Sequence, residues 1–182
     1  ETLELLSTEA TGDSVEIEGN KITVTGPDKN VFDTQVYSKD GYPTASVSFV
    51  ATQDDAFVMV GLNTDPDDSA NHLDMNFKWY LRGEHATSGS TNLDWELDHK
   101  ASPFMGTTDL GGAFVYSPGD KFTLTYDGIN VRWFHNGVLK DTRASSPSGN
   151  LHMDSSFYGY QPSNQNNSAR SGIEKVSFIP VT

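Results

Sequence analysis

The sequence predicts an all-β protein, two antiparallel sheets packed face to face. Three observations carry that reading. The 182 residues hold 16 Gly and 8 Pro, set with many Ser, Thr, Asn and Asp between short apolar runs, the composition of strands punctuated by turns. No Ala-, Leu- and Glu-rich window carries apolar residues at helical spacing,. Residues 121–140 alternate apolar with polar and are broken twice by turn dipeptides,. The length suits one substantial core, and about ten to twelve strands are expected, which suits a sandwich.

In chain order, residues 1–19 are polar and acidic and read as an entry segment or the end of a preceding stalk, ahead of a single domain over 20–182. The chain opens on Glu1 without a methionine, as an excised domain or mature fragment would. The first clear strand is Lys21-Ile22-Thr23-Val24-Thr25, closed by Gly26-Pro27. Apolar runs at 45–51 and 57–62, separated by Thr52-Gln53-Asp54-Asp55, read as a hairpin,. From 63 to 112 the pattern loosens into Asp-, Ser-, Gly- and Asn-rich loops around strands near 75–81 and 92–98, with another at 113–116. Loops on a rigid β scaffold are where function concentrates.

The strongest local signal follows. Ser117-Pro118-Gly119-Asp120 leads into an alternating strand at 121–126. Asp127-Gly128 and Asn136-Gly137 then bracket a second strand at 129–135, before a third at 138–140. Such dipeptides favour the positive φ angles of type I′ turns, so the three strands form a meander. A short strand at 157–160 and a polar loop at 161–171 precede a closing strand at 173–181. Its Val176 and Phe178 share a face, and the strand is placed beside the opening one,.

Charge and chemistry narrow the partners. Twenty-five acidic residues against 12 Lys and Arg give a formal charge of −13, a surface that repels nucleic acid and anionic lipid. No apolar run approaches the roughly 20 residues of a membrane span. With no cysteine, disulfides, thiolate metal sites and thiol nucleophiles are excluded.

Tyr116-Ser117-Pro118-Gly119-Asp120, Tyr126-Asp127-Gly128 and Val131-Arg132-Trp133-Phe134-His135-Asn136-Gly137-Val138 resemble the meander of concanavalin A-like lectin/glucanase jelly rolls and of SPRY-type sandwiches. Val60-Gly61-Leu62-Asn63-Thr64-Asp65 resembles the strand end that precedes a specificity loop in those domains. The resemblance covers roughly residues 45 to 140, and it specifies fold better than function. Together with the lack of cysteine it is closest to carbohydrate-binding domains of phage tail fibres or bacterial adhesins. That implies an extracellular, cell-surface or virion setting and a lectin without enzymatic activity. A SPRY-like protein- or peptide-binding module is the rival reading, and a divergent polysaccharide-cleaving enzyme a third.

Retaining glycosidases of that superfamily place Glu, Asp and Glu on alternate positions of one strand, because nucleophile and acid must face each other about 5 Å apart. Here Glu96 and Asp98 share a face, but Lys100 stands where the acid/base partner belongs. No Gly-x-Ser-x-Gly elbow occurs, and no two of the five histidines stand at the His-x-x-x-His spacing of zinc ligands,. No catalytic residue is assigned.

Segment 63–74 is the densest constellation of hard oxygen donors. Asp65, Asp67, Asp68, Asn71 and Asp74 suit Ca²⁺, which takes six to eight oxygens in a flexible geometry,. An EF-hand is excluded, since its glycine and final glutamate are missing. Sugars stack on flat aromatics beside polar side chains that read hydroxyls. Trp79 and Tyr80 are adjacent and point to opposite faces of one strand, which makes one of them a candidate for exposure. Trp79, Trp95, Tyr160, His72, Asn92, Asn164 and Asn166 are the candidate ligand contacts, and 63–74, 84–95 and 161–170 are the candidate binding loops. The expected partner is a cell-surface glycan or polysaccharide, bound weakly per site, with avidity from an oligomeric parent fibre. Asn166-Asn167-Ser168 also satisfies the glycosylation triplet, a match that chance often supplies,.

Overall fold

A computed structural model describes residues 3–9, 15–25, 32–53, 58–66, 75–82, 89–95, 114–158 and 172–182. The strands it shows are β1 (Leu5–Glu9), β2 (Val15–Glu18), β3 (Lys21–Val24), β4 (Phe32–Tyr42) and β5 (Ala45–Ala51). They continue with β6 (Val58–Asn63), β7 (Phe77–Arg82), β8 (Gly89–Trp95), β9 (Phe114–Tyr116) and β10 (Lys121–Tyr126). Last come β11 (Asn130–His135), β12 (Val138–Ala144), β13 (Leu151–Tyr158) and β14 (Gly172–Pro180). They form two antiparallel sheets, β1-β4-β13-β6-β7-β8-β9 and β12-β11-β10-β5-β14-β3-β2. The all-β sandwich expected from turns and alternation is the architecture found.

The meander shows why these residues make these strands. Phe122, Leu124 and Tyr126 point inward from β10, while Val131 and Trp133 do so from β11, the polar residues between them facing out. Asn136 and Gly137 take φ of 50° and 79°, the turn that Asn-Gly favours between twisted strands. Ser117 to Asp120 closes as a turn, Asp120 N–H donating to Ser117 O at 3.0 Å, and Gly119 N–H ties it to Ala51 O at 2.8 Å.

Between the sheets lies one large apolar cluster with aromatics at its centre. Phe122 meets Trp79 edge-on at 5.1 Å between centroids and Tyr116 at 5.8 Å, while Phe49 stacks against it at 5.5 Å. Two indoles fasten the sheets to each other. Trp79 of β7 donates to Thr123 O of β10 at 3.0 Å, and Trp133 of β11 donates to Lys78 O of β7 at 2.9 Å. Each bond satisfies a buried indole N–H that would otherwise be costly.

Four expectations change. The apolar runs at 45–51 and 57–62 are not a hairpin: β5 and β6 sit in opposite sheets. Segment 1–19, set apart as an entry, supplies edge strands, β1 along β4 and β2 along β3. The strand expected at 157–160 begins at Leu151. Trp79 lies in the core, fully buried, because its pairing with Val60 places it on the inner face of its sheet. The closing strand does run beside the opening one, Ile173 opposite Ile22, with Val176 and Phe178 buried.

Candidate functional site

The site begins with strand parity. Because side chains alternate, β13 sends Leu151, Met153 and Phe157 into the core and presents His152, Asp154 and Ser156 on the opposite, outer face of its sheet,. Register then fixes the neighbours. Asp154 lies across from Tyr37 of β4 and Gly61 of β6, and Ser156 across from Gln35 and Met59. Lys78 of β7 is opposite Gly61, and Tyr80 opposite Met59.

Much of this outer face is shielded from solvent, although Tyr37 and His152 are half-buried. Gln35, Asp154, Ser156 and Met59 are 1% exposed and Lys78 not at all. Met59, Met75 and Tyr80 form a second, smaller apolar cluster on it. A carboxylate in such a place must be hydrogen-bonded. Asp154 Oδ1 accepts from Gln35 Nε2 and Oδ2 from Asn63 Nδ2, each at 2.9 Å. Gln35 Nε2 also reaches Pro66 O, and its own Oε1 is a buried acceptor with no partner among the described residues.

The same side chains hold the turn that leaves β6. Asn63 Oδ1 accepts the Asp65 N–H at 3.1 Å, and Asn63 Nδ2 donates to Asp65 O at 3.2 Å. Asn76, just before β7, accepts at Oδ1 from Thr64 N–H at 2.8 Å and from its hydroxyl at 3.2 Å. The turn 63–66 is therefore tied to the polar floor through Asn63 and Pro66 and to Asn76 through Thr64.

The other sheet carries a second polar group at its meander. His135 stacks on Phe122 at 4.7 Å and 7°, and its Nε2 donates to Asp120 Oδ2 at 2.9 Å. Burial opposes ionisation of Asp120, but the His135 bond, the Ser117 N–H and Asn136 outweigh it and lower its pKa,. Asp127 is held well below the ordinary carboxylate range by the Asn130 N–H, the Arg132 guanidinium and the Ile129 N–H. Both carboxylates brace turns.

Of the expected ligand contacts, Trp79 is excluded from solvent in the core. Trp95 and Asn92 lie on β8, paired along the backbone with Phe77 and Tyr80, their side chains outside the description. His72, Tyr160, Asn164 and Asn166 lie outside the described residues, as do Glu96 and Asp98. Of the calcium candidates Asp65 is described and exposed, while Asp67, Asp68, Asn71 and Asp74 are not described. Among the described residues no three acidic or histidine side chains gather as a metal site, and Asp154 has both oxygens engaged by amide donors. Of the proposed Ca²⁺ donors the described residues hold Asp65 alone. Gln35, Asn76 and Asp154 went unanticipated, since single polar positions in a strand carry no turn or motif signal.

Comparison with known proteins sets this geometry in context. No protein-family model matches the chain, and no curated protein matches it in sequence. Solved structures do match. The carbohydrate recognition domain of Emp47p superposes with a TM-score of 0.58 at 13% identity, covering 98% of this chain and 89% of that one. The VIP36 exoplasmic/lumenal domain in its Ca²⁺/Man3GlcNAc-bound form gives 0.56 at 8% identity, over 98% and 83%. The SPRY domain of human HERC1 gives 0.50 at 16%, over 93% of each chain. At these identities the likeness is one of architecture: the chain has a two-sheet, concanavalin A-like jelly-roll sandwich fold.

Proposed function

We propose that the chain is a non-enzymatic carbohydrate-recognition domain that binds a cell-surface glycan or polysaccharide through the loops leaving the polar outer face of the β4-β13-β6-β7 sheet. One observation carries the reading: the buried Gln35–Asp154–Asn63 network anchors the turn 63–66, from which the Asp- and Asn-rich segment departs. A site that reads hydroxyls needs polar groups held rigidly on a scaffold, and this floor supplies that. VIP36, of the same architecture, was crystallised with Ca²⁺ and Man3GlcNAc, which supports both ligand class and cation. In this reading Asp65, Asp67, Asp68, Asn71 and Asp74 order the segment around Ca²⁺, and Trp95, Asn92, His72, Tyr160, Asn164 and Asn166 meet the sugar. The domain works at a cell or virion surface, on an adhesin or fibre whose repetition multiplies weak single-site affinity.

A glycan array that includes Man3GlcNAc, run with Ca²⁺ and with chelator, tests this. Calcium-dependent binding is the expected result, and chelator-insensitive binding keeps the lectin but removes the cation. No binding by folded protein transfers the reading to a SPRY-like protein-binding module. The equal 93% coverage of this chain and the HERC1 SPRY domain favours that alternative.

A further inference from the structure

We propose that Asp154 is a positioning residue, which acts through Gln35 and Asn63 to set the geometry of the 63–66 turn, where the proposed recognition segment begins. The inference rests on the reading of that segment as a recognition loop. Its partners are distant in sequence, 119 residues away for Gln35 and 91 for Asn63, so the network is tertiary and no local turn chemistry replaces it. Asp154 also faces away from the main core and takes no part in its packing. A buried carboxylate is a poor means of stabilising a sheet, since apolar side chains of the same volume commonly do as well or better. What a carboxylate does better is fix direction, because its two oxygens orient two amides at once.

Both amides work in turn on the loop base. Gln35 Nε2 bridges Asp154 to Pro66 O. With Nδ2 held by Asp154, Asn63 presents Oδ1 to the Asp65 N–H. An unheld amide rotates, and the turn loses its reference to the sheet.

The test compares Asp154→Asn, the reciprocal swap Asn63→Asp with Asp154→Asn, and Gln35→Met. Asp154→Asn sets amide N–H groups against one another. The swap restores an amide donor and a carboxylate acceptor with their positions exchanged. Gln35→Met keeps volume and removes the donor to both Asp154 and Pro66. Hydrogen exchange is read at the Thr64 and Asp65 amides, with Leu124 and Trp133 on the other sheet as reference. The expected result is exchange faster by about tenfold or more at Thr64 and Asp65 in Asp154→Asn and Gln35→Met. The reference amides stay unchanged, and the swap returns to within about threefold of the native rate.

If Asp154→Asn does not fold, Gln35→Met and the swap decide on the same terms. Unchanged exchange at Thr64 and Asp65, equal acceleration in the reference strands, or a swap that restores nothing overturns the proposal. Man3GlcNAc binding is measured on the same variants and follows the exchange data if the loop recognises sugar. Native protein that binds no glycan defeats the lectin reading alone, because the exchange measurements need no ligand.

Discussion

The two sheets share a core but differ on their outer faces. On the sheet built around β10 the outer positions are Ser46, Ser48, Thr123, Thr125 and Phe134, half-buried, with Leu139 and Ile179 about half exposed at 49% and 54%. On the sheet built around β13 the outer positions include Gln35, Met59, Lys78, Asp154 and Ser156, none more than 1% exposed, beside the half-buried Tyr37 and His152. A face that meets solvent accepts almost any polar residue, since water completes its hydrogen bonds. A covered face must supply partners for each polar group from the protein itself. Polar residues are therefore uninformative on the first sheet, whereas on the second they mark where the fold has been arranged for something besides packing.

The sharpest break of that comparison is steric. A Cβ at Gly61 would lie 1.8 Å from Phe77 O and 2.8 Å from Lys78 Cα, so β6 and β7 cannot keep their spacing with any other residue there. Gly61→Ala is expected to destabilise by about 3 kcal/mol or more through forced strand displacement. Gly137→Ala on the solvent-facing sheet meets nothing within 4 Å and suffers only from φ of 79°, at about 1 kcal/mol. Urea midpoints at constant slope read the difference. Equal losses would mean that the covered sheet is no more tightly set than the open one.

The indoles sharpen the comparison from the other side, because they join the two sheets. Trp79→Phe and Trp133→Phe each remove the indole donor to a sheet carbonyl, of Thr123 or Lys78, and leave a small void, at about 1–3 kcal/mol apiece. Both bonds set one sheet-to-sheet separation, so the double variant should lose less than the sum of the singles, by about 0.5 kcal/mol or more. Strict additivity in the double-mutant cycle would make them independent fastenings.

The same contrast explains what the amino-acid sequence disclosed. The meander was legible because its strands are covered on one face, so Phe122, Leu124 and Tyr126 alternate with Lys121, Thr123 and Thr125. β4 was not, since Thr34, Gln35 and Ser38 are buried beside Val36 and polar burial erases the period. The strand expected at 157–160 falls short of β13 for the same reason, with Asp154, Ser155 and Ser156 all buried between Met153 and Phe157. Trp79 misled because an aromatic beside a loop looks alike whether its strand parity turns it in or out, and parity depends on a register that no local pattern specifies. The candidate site suffered most. Segment 63–74 stood out by composition, but the residues that anchor it come from β4, β13 and the approach to β7, and only tertiary pairing brings them together.

The smallest expected effect sets an exposed carboxylate against the buried Asp154. Asp127 accepts from Ile129 N–H at 2.9 Å and Asn130 N–H at 2.7 Å, and pairs with Arg132 at the hairpin corner. Its pKa is depressed in the folded state. Its stabilisation is therefore complete above the unfolded value near 4 and is lost as pH falls toward the lower folded value. Asp127→Asn keeps an oxygen for the two N–H groups and removes the charge. The gap in urea midpoint between native protein and variant should stay constant from about pH 7 to pH 5 and narrow below about pH 4. Added salt should narrow it as well, because the pair meets solvent. A gap that persists through both treatments would assign the Asp127 contribution to turn geometry rather than charge, and would make this open corner behave like the covered floor that holds the turn 63–66.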